Sequence, residues 1–351
     1  QSADVITSSQ LNRNKAVQKP EIIGGKPQAI VIPRGEWLGQ YMGSLQEELE
    51  GFEQMTGNEK RENSHIPLTV TTRARKAAVD PRLIGPVEGM AKAPDEPGSK
   101  ANTVVKEILR IADETNDLSG TQMIFSDVYQ APNGTFNLFH DMKEKLINGG
   151  IPEEQVAVIH DYKTDAQKQK LFDDMNAGRV RVLFGTTEKM GVGVNAQERM
   201  KALHHMDAPW MPMQVTQRNG RILRHGNIYA KNGGVYLQTY GVEKTMDAVI
   251  FQKILTKQKF IEDILEGNVN SVAVEDSSSQ MQMSAQEMTA LFSGNPDVLT
   301  KFKLESEIKI LNQQKDSWEK QLQSTRYNLR NAESVLKEFQ DLEKEQIERA
   351  P

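Results

Sequence analysis

The sequence predicts an α/β protein built on a parallel, doubly wound sheet, and three observations carry the prediction. Over residues 99–267, short apolar runs of strand length alternate with stretches of helical periodicity, the pattern of strands joined by crossover helices. Two turns rich in Gly, Thr, Arg and Asn, GTTEKMGVGVN from Gly185 and QRNGRILRHGN from Gln217, follow apolar runs, at the strand ends where such sheets bind ligands. Composition changes on both sides of this region. Residues 85–98 are rich in Pro, Gly, Asp and Glu, and 268–297 in Ser, Gln, Met and Asn, so both read as linkers.

Taken in order, residues 1–27 are polar and read as an extended lead-in. Gly24-Gly25-Lys26 is followed by Pro27, with no earlier Gly at phosphate-loop spacing, so it reads as a turn. Residues 28–33 form a short strand, and 35–52 a helix with Trp37, Tyr41, Leu45 and Leu49 along one side. The basic stretch 64–83, containing TTRARKAAVDPRL, reads as a solvated helix rather than a nucleic-acid patch. In the regular region the helices are 100–115, 136–148, 165–176 and 213–224, closed by a final helix over 243–265. The strands are 122–126, 155–160, 180–184, 202–206 and 235–239. Residues 297–350 contain neither Gly nor Pro. There Leu304, Leu311 and Trp318 recur every seventh position, with Ile308, Leu322, Leu329 and Leu336 as the companion set. That predicts one long helix with an a/d seam of about five heptads, suited to a coiled coil with a helical partner.

The site chemistry follows from the second turn. Gln217, Arg221 and Arg224 stand at i, i+4 and i+7, so a continuous helix would put them on one face. Two guanidiniums held side by side suit a polyanion such as a nucleoside triphosphate, because each planar fork binds phosphate oxygens bidentately. In the first turn, Gly191 and Gly193 permit close backbone approach, while Thr186, Thr187 and Lys189 supply hydroxyls and a charge for a phosphate chain. A bare G-x-G without an acidic ribose partner does not make a dinucleotide site.

These residues carry a resemblance. Gln217, Gly220, Arg221 and Arg224 match every fixed position of Q-x-x-G-R-x-x-R, the last motif of superfamily 2 helicases. His225-Gly226-Asn227 resembles the H/R-x-G-Q ending of the chromatin-remodeller (Swi/Snf-like) DNA translocases, with Asn in place of Gln. Residues 99–267 are similar to the second, RecA-like lobe of those motors, as found in large phage and mobile-element helicase-methylase proteins. The resemblance implies an ATP-dependent double-stranded DNA translocase acting in DNA entry, anti-restriction or modification. In it, Arg221 and Arg224 reach the γ-phosphate held by the opposite lobe, and Gln217 orients them or the attacking water. Gly191, Gly193, Asn195 and Gly220 lie toward the nucleotide. Ser126, Thr186, Thr187 and Lys189 face the DNA backbone. Residues 28–52 resemble the strand and helix by which a first lobe hands over to the second, so residues 1–98 are expected to be lead-in, the end of that lobe and linker. A non-catalytic RecA-like scaffold that binds DNA or protein is the rival reading.

Composition excludes other classes. A net charge of −5 gives no global basic signature, so nucleic acid must be met by a local patch. There is no cysteine, which removes disulfides, zinc-thiolate sites and thiol nucleophiles and fits a cytosolic protein. No apolar run approaches the ~20 residues of a membrane span, so no membrane partner is expected. His204 and His205 are adjacent in a strand and point to opposite faces, so they cannot share one metal. The sequence holds no G-x-x-x-x-G-K-[ST] and no acidic DExx box after an apolar strand. ATP and Mg²⁺ are therefore expected to be held mainly by a first lobe, upstream in a longer chain or on a separate subunit. The start at Gln1 rather than Met fits a processed product or part of something longer.

Overall fold

The computed structural model describes residues 18–190, 195–209, 211–247 and 296–348. The expected helix 243–265, beyond its first few residues, and the linker from 268 up to residue 295 lie outside the described residues, as do Gly191 and Gly193.

The chain divides into two compact units, residues 1–294 and 295–351. The first is built on six strands. These are β1 (Gln28–Ile32), β2 (Thr121–Phe125), β3 (Val156–Val158), β4 (Val182–Gly185), β5 (Met200–His205) and β6 (Tyr236–Val242). They lie in the order β1-β6-β5-β2-β4-β3, and every pair is parallel. The predicted doubly wound parallel sheet is therefore present. The middle strands β2, β4 and β5 are buried along their whole length, as expected of a sheet covered on both faces.

The helices of this unit are α1 (Glu36–Gln54), α2 (Gly57–Glu62), α3 (Ile66–Val79), α4 (Lys100–Glu114), α5 (Leu138–Asn148), α6 (Asp165–Asn176), the single turn α7 (Thr187–Met190) and α8 (Pro212–Ile222). Their starts follow local chemistry. Ser99 accepts from the Asn102 amide at 3.3 Å, and Asn137 accepts from the Phe139 amide at 3.0 Å. Thr164 and Gln167 close a reciprocal capping box on α6. Alternation along β2 separates two cores. Gln122 turns to α4, donating to the Ile108 carbonyl at 2.8 Å. Met123 and Phe125 join Leu171, Phe172, Leu183, Leu203 and Ile222 in the apolar core of the other face. The histidines obey the same period of two: His204 meets Gln122 and Tyr240, whereas His205 meets Asn219 of α8.

Three details differ from the expectations. β1 does not close a preceding lobe: it pairs with β6 from Gln28↔Gln238 to Ile32↔Val242, so this sheet takes in a strand from before residue 99. The basic stretch over 66–79 is not simply a solvated helix. Its Val70, Ala74, Ala77 and Ala78 are buried, and buried Arg75 donates to the Ala208 carbonyl at 2.6 Å. Finally, α8 ends at Ile222, two residues short of Arg224.

In the second unit, α9 (Pro296–Glu348) is one uninterrupted helix, as predicted. Leu304, Ile308, Leu311, Trp318, Leu329 and Leu336 of the heptad seam are exposed.

Candidate functional site

The site lies at the C-terminal ends of β2, β4 and β5, where the segments that follow these strands meet α8. α8 starts with Pro at its first position and a reciprocal bond between the Met211 amide and Gln214 at 3.1 Å. One side is fixed inward by Val215, Arg218 and Ile222, all buried. Gln217 and Gly220 are exposed on the other side, and Arg221 is half-buried between them. Partial burial and the neighbouring charge of Arg224 both lower the Arg221 guanidinium from its usual value, so the two cations are close enough to feel one another.

Arg224 does not complete the expected helical face. Leu223, at φ −82° and ψ 55°, ends the helix, and Gly226 turns the chain at φ +84°. Buried Asn227 stabilises that ending, donating to Met200 O at 2.8 Å and Ile222 O at 3.4 Å and accepting from the Tyr229 amide at 2.9 Å. Gln217 and Arg221 thus share the helix, and Arg224 is presented from the turn beyond it. A Cβ at Gly220 would meet no atom of the described residues within 4 Å, so none of them requires the glycine there.

The first turn is anchored more deeply than its sequence suggests. Asp127, the residue after β2 and Ser126, accepts from the Thr187 amide at 2.6 Å and from its hydroxyl at 2.8 Å. Its own amide donates to Asp207 at 2.7 Å. Arg218, fully buried on α8, donates to Thr187 Oγ1 at 2.8 Å, Asp127 at 2.9 Å, Asp207 Oδ1 at 3.0 Å and the Asp207 carbonyl at 3.0 Å. Its guanidinium lies 5.2 Å from the centre of the Phe125 ring, a cation–π contact made by a fully buried side chain. Arg75 of α3 lies near enough to feel Asp207, Asp247, Asp127 and Arg218, although burial is what chiefly lowers it.

His205 closes the inner side of this cluster. Its Nε2 meets Asn219 Oδ1 at 2.8 Å and its Nδ1 faces the Arg218 guanidinium at 3.5 Å. An acceptor on one side and a donor on the other select the neutral Nε2–H tautomer. Burial first, and the Arg218 charge second, push the imidazole down to about 3.

The predicted backbone contacts divide into two groups. Thr187 is buried, and its hydroxyl is held by Asp127 and Arg218. Ser126 is buried too and donates to the Val128 carbonyl at 2.7 Å, so its hydroxyl caps its own turn. Both hydroxyls are thus hydrogen-bonded within the chain. Thr186 is half-buried and Lys189 exposed, so these two remain at the surface of the turn. Asn195 is exposed, and its carbonyl accepts from Asn176 at 2.7 Å. Gly185 packs tightly beneath the turn: a Cβ there would come within 2.6 Å of Ile159 and 2.8 Å of Met190. Among the described residues no group of three or more His, Cys, Asp or Glu is placed to hold a metal ion.

Sequence reasoning missed Arg218, Asp127 and Asp207. The one available signal was a charged residue on the inward face of an amphipathic helix, between apolar Val215 and Ile222, a position that calls for buried partners.

Comparison with known proteins bears on the fold and the domain. Residues 101–226 match the helicase conserved C-terminal domain, a stretch running from α4 to the turn after Arg224. The chain is similar to the C-terminal part of the Fun30 ATPase domain, with a TM-score of 0.52 and 13% identity over 81% of this chain and 99% of that one. The Sulfolobus solfataricus SWI2/SNF2 ATPase core in complex with dsDNA aligns with a TM-score of 0.43 and 17% identity, over 69% of this chain and 46% of that one. A curated relative, the "Defense against restriction protein B" of Escherichia phage P1, is 26% identical over 115 residues, which cover 33% of this chain and 5% of that protein. This chain thus matches only a small part of its relative. Residues 101–226 thus match the helicase conserved C-terminal domain and are carried on a RecA-like, all-parallel α/β fold.

Proposed function

We propose that this chain is the second motor lobe of an ATP-dependent double-stranded DNA translocase of the remodeller type, working in a phage or mobile-element system that admits, protects or modifies DNA. The observation that carries the reading is the placing of Gln217, Gly220 and Arg221 on the outer side of a helix whose inner side is locked, with Arg224 on the turn beyond. A scaffold has no use for two neighbouring guanidiniums presented in this way. The similarity to a phage protein named for defence against restriction supports the biological setting.

ATP with Mg²⁺ would supply the phosphoryl group, held mainly by a first RecA-like lobe. What these residues contribute is charge: Arg221 and Arg224 offer donors to the oxygens of the γ-phosphoryl group as charge spreads over them in the transition state. Gln217 offers an amide to position the guanidiniums or the attacking water. The bare backbone at Gly220 leaves room for the opposing lobe to approach. Thr186 and Lys189 present a hydroxyl and a cation to the backbone of the tracked DNA strand.

The test is made in the motor with its first lobe. Arg221→Ala or Arg224→Ala should lower ATP turnover by orders of magnitude, toward the ~10³–10⁵ ascribed to arginine fingers, and leave DNA affinity within a few-fold. Variants that bind DNA poorly yet hydrolyse ATP normally would reverse the assigned roles.

A further inference from the structure

The Arg218 cluster joins three pieces of chain that the sequence keeps far apart. Asp127 follows β2, Thr187 opens the turn after β4, and Asp207 follows β5, while Arg218 itself belongs to α8. One guanidinium donates to all three, and Asp127 in turn holds both the amide and the hydroxyl of Thr187. The members are buried to different degrees: the Arg218 side chain is 0% exposed, Asp207 2% and Asp127 30%. The buried Arg218–Asp207 pair cannot separate without leaving an uncompensated charge behind, while the more exposed Asp127 is tied to the same fork and to both polar groups of Thr187. Planar forks also fix direction, which a point charge does not.

We propose that Arg218 is a positioning residue that couples the surface turn at 186–190 to the helix carrying Gln217 and Arg221. It makes no contact with ligand itself. A displacement of the turn when nucleic acid meets Thr186 or Lys189 shifts the Thr187 amide and hydroxyl, moves Asp127, and is passed through the Arg218 fork into α8. His205 supports the same fork from behind, with its Nδ1 facing Arg218 and its Nε2 on Asn219 of the same helix. The inference deepens the motor reading and rests on it, since it needs nucleic acid to meet the turn.

The test uses the whole chain and a blunt DNA duplex of about two helical turns, with amide hydrogen exchange as the readout. In the unsubstituted protein, added duplex should slow exchange in 186–190 and also in 212–222. Arg218→Lys keeps the charge but loses the fork, and Asp127→Asn keeps one acceptor but loses the ion pair. Both should retain the protection at 186–190 and lose at least three-quarters of the DNA-dependent protection at 212–222. Circular dichroism of each variant confirms folding, and Asp127, the most exposed member, is the milder change. Variants in which duplex protects α8 as well as it does in the parent would overturn the coupling, as would protection of the turn alone in the parent. No protection at 186–190 in the parent would instead sink the nucleic-acid reading, and the coupling with it.

Discussion

The neutral state of His205 makes acid sensitivity a measurable property of the site. The perturbation is a fall in pH from 7 to 5. An unfolded histidine titrates near ~6.5, whereas folded His205 is pushed down to about 3 by burial and by Arg218. The folded value is depressed, so the stabilisation is complete above the unfolded value and is lost as pH falls from there toward about 3. At pH 5 the unfolded chain has taken up its proton almost completely and the folded chain has not. Integrating the proton difference from pH 7 to pH 5 gives a loss of about 2 kcal/mol from this one side chain. That is a sizeable part of a typical folding stability of ~5–15 kcal/mol. Urea denaturation at both pH values measures it, on the parent and on His205→Gln, which can still donate to Asn219 but cannot be protonated. The parent should lose about 2 kcal/mol more than the variant over that interval. Equal losses in the two proteins would refute the reasoning and mean that His205 titrates in the folded state as it does in the unfolded chain.

Three further outcomes are expected. Lys189→Ala should weaken duplex binding and reduce its salt dependence by about one phosphate contact, read from the slope of log affinity against log salt. Residues 1–351 alone should hydrolyse ATP no faster than background, since the sequence has no phosphate loop of the G-x-x-x-x-G-K-[ST] kind, and a robust DNA-stimulated turnover would contradict this. Deleting 296–351 should leave the melting of the sheet unit intact, while the isolated segment should associate with a helical partner. The exposed seam residues each gain roughly 1.5–3 kcal/mol on burial, and a monomeric, unstructured peptide in sedimentation and circular dichroism would count against the coiled coil.

The regular part of the fold was legible because its code is local. Apolar runs and helical periodicity located β2 to β6 and the helices between them, since each is set by the spacing of neighbouring residues. The four fixed residues from Gln217 to Arg224 were legible for the same reason. What escaped was set by distance in space. β1 reads as a strand, but which sheet it joins depends on pairing with a strand over two hundred residues later. The end of α8 at Ile222 depends on Asn227 reaching back to two carbonyls. Thr187 carries a hydroxyl suited to phosphate, yet Asp127 and Arg218, sixty and thirty-one residues away, both bond to it. Arg218 lies outside the fixed positions of the motif, and only its burial and hydrogen bonds reveal that it is tied to the turn.

The position of β1 decides how this lobe can be taken apart. β6 lies between β5 and β1, so its backbone donors and acceptors are satisfied on both sides. Cutting the chain at residue 99, or at the boundary of the family match, would strip one side of β6 and leave a row of unpaired amides and carbonyls bordering the sheet. Such an open border recruits any extended segment that can complete it, including another copy of the same fragment. Arg75, which holds the Ala208 carbonyl ahead of α8, would be lost in the same cut. A fragment meant to behave as a soluble monomer therefore has to begin before Gln28, more than seventy residues upstream of where the recognisable helicase sequence starts.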